Sequence, residues 1–351
     1  MNPFLTRLGI KLPIIQAPMA GVSTPEMAGA VSNAGGLGSI GVGNVDAEAA
    51  RAMIHQVRTL TDRPFNVNVF CHQPAVADPE RDAAWLRLLS PHFARFRARP
   101  PDRLHEIYQS FTTDDAMLAM LVEERPPIVS FHFGLPARER IAALKSAGII
   151  LLATATNVAE ARSIQDAGVD AIVAQGYEAG GHRGVFDHQA PDDMLGTMSL
   201  TRLLVKTCSI PIISGGGIME GAGIAASLAL GARAAQLGTA FILCPESAAD
   251  VGYRAALQSD AAQHTVMTSV ISGRPARSLP NRFTALGNAV VAAEIPAYPL
   301  AYDAAKSLHA AAKAAGEFGY GAQWAGQGAS LSRKLPAADL VQILWEETGS
   351  K

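Results

Sequence analysis

The chain has 351 residues, of which 49% are hydrophobic and 17% charged, so it can bury a large core and long disordered stretches are not expected. Lys and Arg (29) nearly balance Asp and Glu (31), giving a net charge of −2 with no long basic block, which argues against nucleic acid or an anionic membrane as a partner. The scattered Cys71, Cys208 and Cys244 indicate neither a disulfide framework nor a zinc site, and they fit a reducing cytoplasm. Neither a signal peptide nor a membrane span is evident, and no ligand spacing predicts a metal.

Short apolar runs alternate with alanine-rich helical stretches along the chain. We predict strands at Pro13–Ala17, Leu37–Gly41, Phe65–Phe70, Ile128–Phe133, Ile149–Thr154, Ala171–Gln175, Pro211–Ser214 and Ala234–Gly238. Helical patterns lie between them at Pro25–Ala34, Ala47–Leu60, Ala137–Ala147, Val158–Ala167 and Gly221–Leu230. Thr24 is placed to cap the first of these helices, with Pro25 in its first helical position.

The strands read as near-continuous apolar runs, which indicates a parallel sheet buried on both faces. Eight β-α units predict an α/β fold, a (β/α)8 TIM barrel over residues 1–257, with a doubly wound open sheet as the alternative. Residues 72–125 are predicted to be an insertion after the third strand. Residues 258–351 are predicted to form a C-terminal helical elaboration covering the active site, with helices at Phe283–Ala293, Asp303–Ala315 and Ala337–Glu347.

Two glycine-containing segments predict a phosphate site. Ile213-Ser-Gly-Gly-Gly-Ile218 follows the seventh strand, and Gln236-Leu-Gly-Thr239 ends the eighth. Main-chain N–H groups freed by glycine, together with a helix N-terminus, bind phosphate without a basic residue. A glycine triplet alone also fits a plain turn, but barrels frequently place a phosphate after strands seven and eight.

Amide side chains stand at the ends of two further strands, Asn68 after the third and Gln175 after the sixth. An amide offers a donor and an acceptor to the edge of a flat heterocycle, although a strand-end amide equally caps its own turn. Ala17, Pro18 and Met19 end the first strand, where the sulfur and the proline ring either pack against such a ring or fill the core. This combination matches flavin mononucleotide (FMN), and NAD does not require it.

His182 lies in the segment Gln175–Gly184, which contains four glycines and follows the sixth strand. An isolated histidine is more often structural, but the flanking Gly180, Gly181 and Gly184 favour a catalytic loop. A neutral or cationic imidazole can orient an anionic substrate, or act as a base toward a neutral one. His132, at the end of strand four, is either a second wall of the pocket or a buried structural residue.

Tyr298, Tyr302 and Lys306 are spaced four residues apart, which predicts one face of a helix. That face either lines the substrate site or lies at the surface with its long side chains reaching water. Trp324 either roofs the pocket or anchors the C-terminal elaboration. Arg274 and Arg277 reach either the phosphate or the barrel wall.

Taken together, these segments resemble the nitronate monooxygenase family, formerly called 2-nitropropane dioxygenases, and in particular its bacterial class I branch. The matching segments run from the first strand almost to the C-terminus: Pro13-Ile-Ile-Gln-Ala-Pro-Met-Ala-Gly21, Phe131-His-Phe-Gly-Leu-Pro136, the His182 segment, Ser214-Gly-Gly-Gly217 with Gln236–Thr239, and Gly319-Tyr-Gly-Ala-Gln-Trp-Ala-Gly-Gln-Gly328.

The resemblance implies an FMN barrel that oxidises alkyl nitronates, including propionate 3-nitronate, with O2 to carbonyl compounds plus nitrite or nitrate, through a flavin semiquinone. It implies His182 as the catalytic residue and Tyr298, Tyr302 and Lys306 as substrate-binding residues, which resolves the helical face toward the substrate; His132 joins them as a candidate pocket wall. By position it implies FMN contacts at Asn68, Gln175, Gly180, Gly217, Gln236, Leu237, Gly238 and Thr239. The arguments from the strand ends and glycines add Ala17, Pro18, Met19, Gly181, Gly215 and Gly216.

Two other functions fit part of the same sequence. A flavin-dependent NAD(P)H reductase acting on quinones or enoyl-acyl carriers resembles this barrel and can share Glu178-Ala-Gly-Gly-His182. A non-catalytic flavin-binding protein predicts a bound cofactor without turnover. The expected partners are a small anionic nitronate and O2, and association of identical chains stays open.

Overall fold

A computed structural model describes residues 2–349, and eight of its strands are parallel and form a barrel. The strands are, in chain order, β1 (Ile14–Gln16), β2 (Gly38–Gly41), β3 (Phe65–Phe70), β4 (Ile128–His132), β5 (Ile150–Ala155), β6 (Ala171–Gln175), β7 (Gly181–His182), β8 (Ile212–Gly215), β9 (Ala234–Leu237), β10 (Val266–Thr268) and β11 (Ala276–Ser278). The large sheet has the order β1-β9-β8-β6-β5-β4-β3-β2, and a parallel bridge between Ile15 and Leu37 joins its first and last strands. The barrel prediction is confirmed, and the open-sheet alternative is wrong.

The helices surround this barrel. They are α1 (Pro3–Leu8), α2 (Pro25–Asn33), α3 (Ala47–Leu60), α4 (Pro79–Ala94), α5 (Asp115–Glu124), α6 (Arg138–Ser146), α7 (Val158–Asp166), α8 (Thr197–Thr207), α9 (Gly221–Ala229), α10 (Val251–Leu257), α11 (Arg282–Leu286), α12 (Leu300–Ala314) and α13 (Ala337–Glu347). Thr24 caps α2 as predicted, its hydroxyl accepting from the Met27 amide at 3.1 Å, with Pro25 in the first turn. Between residues 2 and 349, no helix has the length and apolar character needed to cross a membrane.

Apolar side chains fill the barrel interior. Residues from six strands or strand ends meet there with α1, whose Phe4, Leu5 and Leu8 belong to the same buried cluster: Ile15, Leu37, Ile128, Leu152, Val173 and Ile213. Burying a side chain the size of Leu8 contributes about 1.5–3 kcal/mol. Because this interior is packed with side chains, a ligand is accommodated at an end of the barrel and not along its axis.

Residues 72–125 contain two helices with different surroundings. α4 packs against α12, where Trp85, Leu89 and Phe93 share a buried cluster with Ala304 and Leu308. α5 instead packs against α3 and α6, its neighbours in the ring of helices around the barrel. The stretch before α5 therefore reaches the C-terminal helices, whereas α5 itself serves as the helix between β3 and β4.

The chain leaves the barrel after β9 and returns to it at α13. Between these points lie α10, β10, β11, α11 and α12, and β10 and β11 form a small antiparallel sheet with β7. The predicted helix over Phe283–Ala293 is wrong beyond Leu286, where α11 ends and short 3-10 turns follow. α13 packs between α2 and α9, with Leu340 and Leu344 buried beside Met27 and Ile224. It fills the gap in the helical ring next to β9 and β1.

Candidate active site

A cleft of about 1380 Å3, counted to its open mouth, lies at the carboxyl ends of the barrel strands. This is the end at which (β/α)8 enzymes bind their ligands. Nearly all the predicted site residues line it: Ala17, Pro18, Met19, Asn68, His132, Gln175, Gly180, Gly181, His182, Gly215, Gly216, Gly217, Gln236, Gly238, Thr239, Tyr298 and Tyr302. Leu237 and Lys306 are not in its wall. The Leu237 side chain packs into the core beside Ile14.

The glycines after β8 form part of the cleft floor. Gly216 and Gly217 have φ values of +121° and +69°, a left-handed backbone that glycine adopts without strain. Among residues 2–349, the amide groups of Gly216, Gly217 and Thr239 donate to no protein acceptor. A Cβ on Gly215 would meet the Gln236 carbonyl at 3.5 Å and point into the barrel mouth. The arrangement fits a phosphate group, because several unpaired N–H groups converge where side chains are absent.

Three amide side chains differ in the hydrogen-bonding capacity that they leave for a ligand. Asn68 donates through Nδ2 to the Ser130 carbonyl and hydroxyl, which leaves its Oδ1 without a protein partner in the described chain. The Gln236 amide has no protein partner within residues 2–349. Gln175 is already engaged, since its Nε2 donates to the His182 carbonyl at 3.0 Å and its Oε1 accepts from the Gly184 amide at 2.7 Å. Asn68 and Gln236 are thus better placed than Gln175 to bind a heterocycle edge.

The sequence predicts that His182 lies in a loop, but in the structure it lies in the short strand β7. β7 pairs with β11, where His182 stands opposite Ala276. The imidazole Nε2 lies 2.8 Å from the Ser272 hydroxyl, and the ring contacts Phe133, Tyr298 and Trp324 at centroid distances of 5.0–5.6 Å. Burial lowers the pKa of His182 to about 3, and the charges of nearby groups, including Arg274, act in the same direction. The residue is therefore a neutral imidazole at physiological pH.

His132 faces the cleft, but protein groups occupy both ring nitrogens. Its Nε2 donates to the His182 carbonyl at 3.3 Å, and its Nδ1 lies 3.1 Å from the Thr154 hydroxyl. Burial lowers the pKa of His132 to about 4, so this ring is also neutral. The sequence left His132 as either a pocket wall or a structural residue. In the structure it has both positions, because it lines the cleft and also hydrogen-bonds the His182 main chain.

The sequence predicts that Tyr298, Tyr302 and Lys306 share one helical face, but only Tyr302 and Lys306 lie in a helix. α12 begins at Leu300, so Tyr298 precedes it and the prediction of one helical face through all three residues is wrong. Pro299 occupies the N-cap position, which separates Tyr298 from the helix. Both tyrosines nevertheless line the cleft, with ring centroids 5.4 and 6.1 Å from that of His182. Lys306 lies behind this wall and donates to the Tyr108 hydroxyl at 2.8 Å.

The remaining candidates have distinct positions. Trp324 lines the cleft beside His182, which supports its interpretation as a roof. Arg277 donates to the Tyr177 carbonyl and lies over the Tyr177 ring. Arg274 is buried over the Phe133 ring at 4.4 Å and donates to the Val185 carbonyl. Both arginines therefore belong to the walls around β7, and their contacts are not with the glycine floor.

Several cleft residues have no signal in the sequence that identifies them. Tyr108 comes from the irregular stretch before α5, and Tyr253 comes from α10. Ser272 contacts His182 from the turn between β10 and β11. Phe133 is the exception, because it lies inside the motif Phe131–Pro136. Its φ of +74° is unusual for an aromatic residue.

Comparison with known proteins agrees with this geometry. A family model described as nitronate monooxygenase matches residues 2–347. The chain is 63% identical over 343 residues to a nitronate monooxygenase of Paraburkholderia phytofirmans, covering 98% of this chain and 94% of that relative. It is 55% identical to a nitronate monooxygenase of Pseudomonas aeruginosa, covering 98% of both chains.

Solved structures show the same architecture. A nitroalkane oxidase from Streptomyces ansochromogenes superposes with a TM-score of 0.90 at 42% identity, covering 98% of this chain and 97% of that one. FabK from Thermotoga maritima superposes with a TM-score of 0.74 at 28% identity, covering 99% and 96%. Within residues 2–349, no group of three or more His, Cys, Asp or Glu side chains is arranged to hold a metal ion.

Proposed function

Because the chain belongs to the nitronate monooxygenase family, we propose that it is an FMN-dependent enzyme that oxidises small alkyl nitronates with O2. Propionate 3-nitronate is the proposed model substrate, and the products are carbonyl compounds plus nitrite or nitrate. The observation that carries this proposal is a neutral His182 beside Tyr298 and Tyr302, in one cleft with a glycine floor built for phosphate.

The residues of the cleft fit FMN. The free amides of Gly216, Gly217 and Thr239 would hold its phosphate, and the unpaired polar atoms of Asn68 and Gln236 would hold its ring edge. A ligand there would satisfy main-chain donors that otherwise have no protein acceptor. When bound, FMN supplies the ring that accepts electrons from the substrate.

The chain's own groups prepare the substrate. The rings of Tyr108, Phe133, Tyr298 and Trp324 line the cleft near His182 and would shield a bound substrate from water. Exclusion of water strengthens the electrostatic interactions of an anion bound there. With a pKa of about 3 the imidazole of His182 is a weak base toward a neutral nitroalkane, and a bound anion would raise that pKa toward a value suited to proton transfer. Arg274, over the Phe133 ring, and Lys306, bonded to the Tyr108 hydroxyl, place positive charge near the cleft, which favours an anion.

We propose that the positive charge of Lys306 attracts a carboxylate group on the substrate. Its ammonium group binds Tyr108, a cleft residue, and lies 5.0 and 5.8 Å from the Tyr108 and Tyr302 ring centroids. It therefore acts on the cleft through these phenols. Both phenols are neutral at physiological pH, because burial raises their pKa values.

The likeness to FabK favours a second candidate, a flavin-dependent NAD(P)H reductase, since that likeness covers nearly the whole chain. One set of assays separates the two functions. The purified protein is tested for a flavin spectrum, for O2 uptake with propionate 3-nitronate, and for NADH oxidation with a quinone or an enoyl thioester. Nitronate-dependent O2 uptake without NADH oxidation is expected. NADH turnover without nitronate-dependent uptake would overturn the proposal, and bound flavin with no turnover would indicate a flavin-binding protein.

We propose a cytoplasmic location on the basis of the cysteines. All three thiols are free, as expected of a chain in a reducing compartment. Burial raises the pKa of Cys244 to about 12 and that of Cys71 further, so neither is a reactive thiolate.

A further inference from the structure

Ser272 contacts His182 from outside the barrel. It is fully buried in the turn between β10 and β11, and its Oγ lies 2.8 Å from Nε2 of His182. A serine hydroxyl can donate one hydrogen bond and accept others. Which of the two groups donates determines which nitrogen of the neutral imidazole bears its proton.

The Arg274 carbonyl decides this direction. The Ser272 hydroxyl lies 3.2 Å from that carbonyl, which has no other partner among residues 2–349. Were the hydroxyl to donate to His182, the carbonyl of a residue that is 2% exposed would lose its donor. An unpaired buried group of this kind costs about 1–3 kcal/mol. The hydroxyl proton therefore goes to the carbonyl, and Oγ accepts from Nε2–H.

We propose that Ser272 is a positioning residue that holds His182 in its Nε2-protonated tautomer, so that Nδ1 offers a lone pair to the bound molecule. Nδ1 has no protein partner within residues 2–349. The ring itself lines the cleft, so this nitrogen is free for a ligand. In this tautomer His182 accepts a proton or a hydrogen bond through Nδ1, and its only N–H is occupied by Ser272.

The groups packed around His182 do not offer another proton to Nδ1. The neighbouring rings are Phe133, Tyr298, Tyr302 and Trp324, none of which has a hydrogen bond to the imidazole. The titratable or charged groups that act on it are His132, Arg274 and His72, and all three lower the pKa of His182. The neutral state is thus set by burial and these groups, whereas the tautomer is set by Ser272.

The test is nitrogen NMR of the imidazoles in the purified protein with its cofactor as isolated. The chain has nine histidines, and the signal that disappears in His182→Asn identifies His182. The pattern of one-bond and two-bond couplings then reports which nitrogen is protonated. An Nε2-protonated ring is expected in the wild type, and an Nδ1-protonated ring would overturn the inference.

Two variants separate positioning from simple packing. Ser272→Ala removes the acceptor, so His182 is expected to populate both tautomers, and kcat/KM for a neutral nitroalkane, whose α-proton the Nδ1 lone pair would accept, is expected to fall about tenfold or more. Ser272→Thr keeps the hydroxyl and is expected to restore the single tautomer. A Ser272→Ala protein with an unchanged single tautomer would refute the inference. The kinetic measurement rests on the proposed function, but the NMR measurement does not. A failure of the proposed function is therefore distinguishable from a failure of the tautomer assignment.

Discussion

Tyr108 and Lys306 are 198 positions apart in the chain, yet the lysine ammonium donates to the tyrosine hydroxyl at 2.8 Å. Tyr108 comes from the stretch between β3 and α5, and Lys306 comes from α12. The contact joins the two segments that extend beyond the bare barrel. It also places the lysine charge one phenol away from the cleft.

Lys306→Met should therefore weaken binding of a carboxylated nitronate. Lys306 is exposed and acts on the cleft across one phenol, so its attraction contributes about 0.5–1 kcal/mol and KM for propionate 3-nitronate should rise about twofold to fivefold. KM for an alkyl nitronate without a carboxylate should change much less. Steady-state O2 uptake with both substrates measures the difference, and equal effects would show that Lys306 does not read the carboxylate.

Tyr108→Phe tests whether Lys306 acts through the phenol. If it does, the single variants and the double variant Tyr108→Phe/Lys306→Met should show similar losses, because both remove the same link. Lys206→Met is the matched control, since Lys206 is exposed at the end of α8 and is not a cleft residue. Fully additive losses would instead assign independent roles to the two residues.

His182→Asn should keep the flavin and lose most of the turnover. Removal of a positioned acid-base group typically costs about 10²–10⁴-fold in rate. The visible spectrum and kcat/KM of the same preparation measure the two effects. Unchanged kinetics would exclude His182 from the reaction.

The pH profile of the wild type should lack a histidine inflection near neutrality. His182 and His132 have pKa values of about 3 and 4, mainly because the surrounding protein desolvates the charged ring, so neither ring changes its charge between pH 5 and 8. kcat/KM for the nitronate, measured across that interval, should be unaffected by either group. An inflection near pH 6.5 that disappears in His182→Asn would contradict the assigned neutral state.

Stability should fall as the solution is acidified from pH 7 to pH 5. His72 is buried and His132 and His182 are partly buried, and their pKa values of about 4, 4 and 3 lie below the value of 6.5 for an unfolded histidine. The unfolded state then binds more protons in this interval, and each histidine removes about 2 kcal/mol from the unfolding free energy at pH 5. Urea denaturation at both pH values measures the loss, which should be smaller in His182→Asn; an equal loss would show that His182 does not contribute.

Gly215→Ala should impair FMN binding without unfolding the protein. The added methyl group meets Gln236 and Val173 at 3.5–3.7 Å, ordinary contact distances, but it occupies the cleft floor. Overpacking of a fitted site costs about 1–3 kcal/mol, so the Kd for FMN should rise about fivefold to a hundredfold. Fluorescence titration of flavin-free protein measures this change.

Gly287→Ala provides the control for that experiment. Gly287 lies outside the cleft, and its backbone φ of −61° suits alanine. Its FMN affinity should equal that of the wild type. If Gly215→Ala also retains full affinity, the glycine floor is not the phosphate site.

The barrel could be predicted because each strand and helix is encoded by a local pattern of apolar residues. Apolar runs at Phe65–Phe70 and Ala171–Gln175 are strands with the predicted bounds, and helices such as α2 carry their own capping signal. The position of the two glycine-containing loops after the seventh and eighth barrel strands followed from counting strands. The predicted helix through Tyr298 failed because Pro299 occupies the N-cap position, an effect that residue spacing does not include.

The contacts between distant segments were not predictable in the same way. Ser272, Tyr108 and Tyr253 reach the cleft from irregular stretches or from outside the barrel, where no periodicity indicates direction. Likewise, nothing in the sequence distinguishes α5, which belongs to the barrel ring, from α4, which packs on α12. Only the folded arrangement shows which polar groups, such as the Gln175 amide, are already paired.

The position of α13 has a consequence for synthesis of the chain. All eight parallel strands have left the ribosome once Leu237 has, but the ring of helices stays open until α13, ending at Glu347, follows about a hundred residues later. Until then the apolar side chains of Met27 and Ile224 are not covered by Leu340 and Leu344, with which they share a buried cluster in the folded protein. A nascent chain at this stage has a complete sheet but exposes an apolar groove between α2 and α9. It should depend on chaperones until α13 covers this groove.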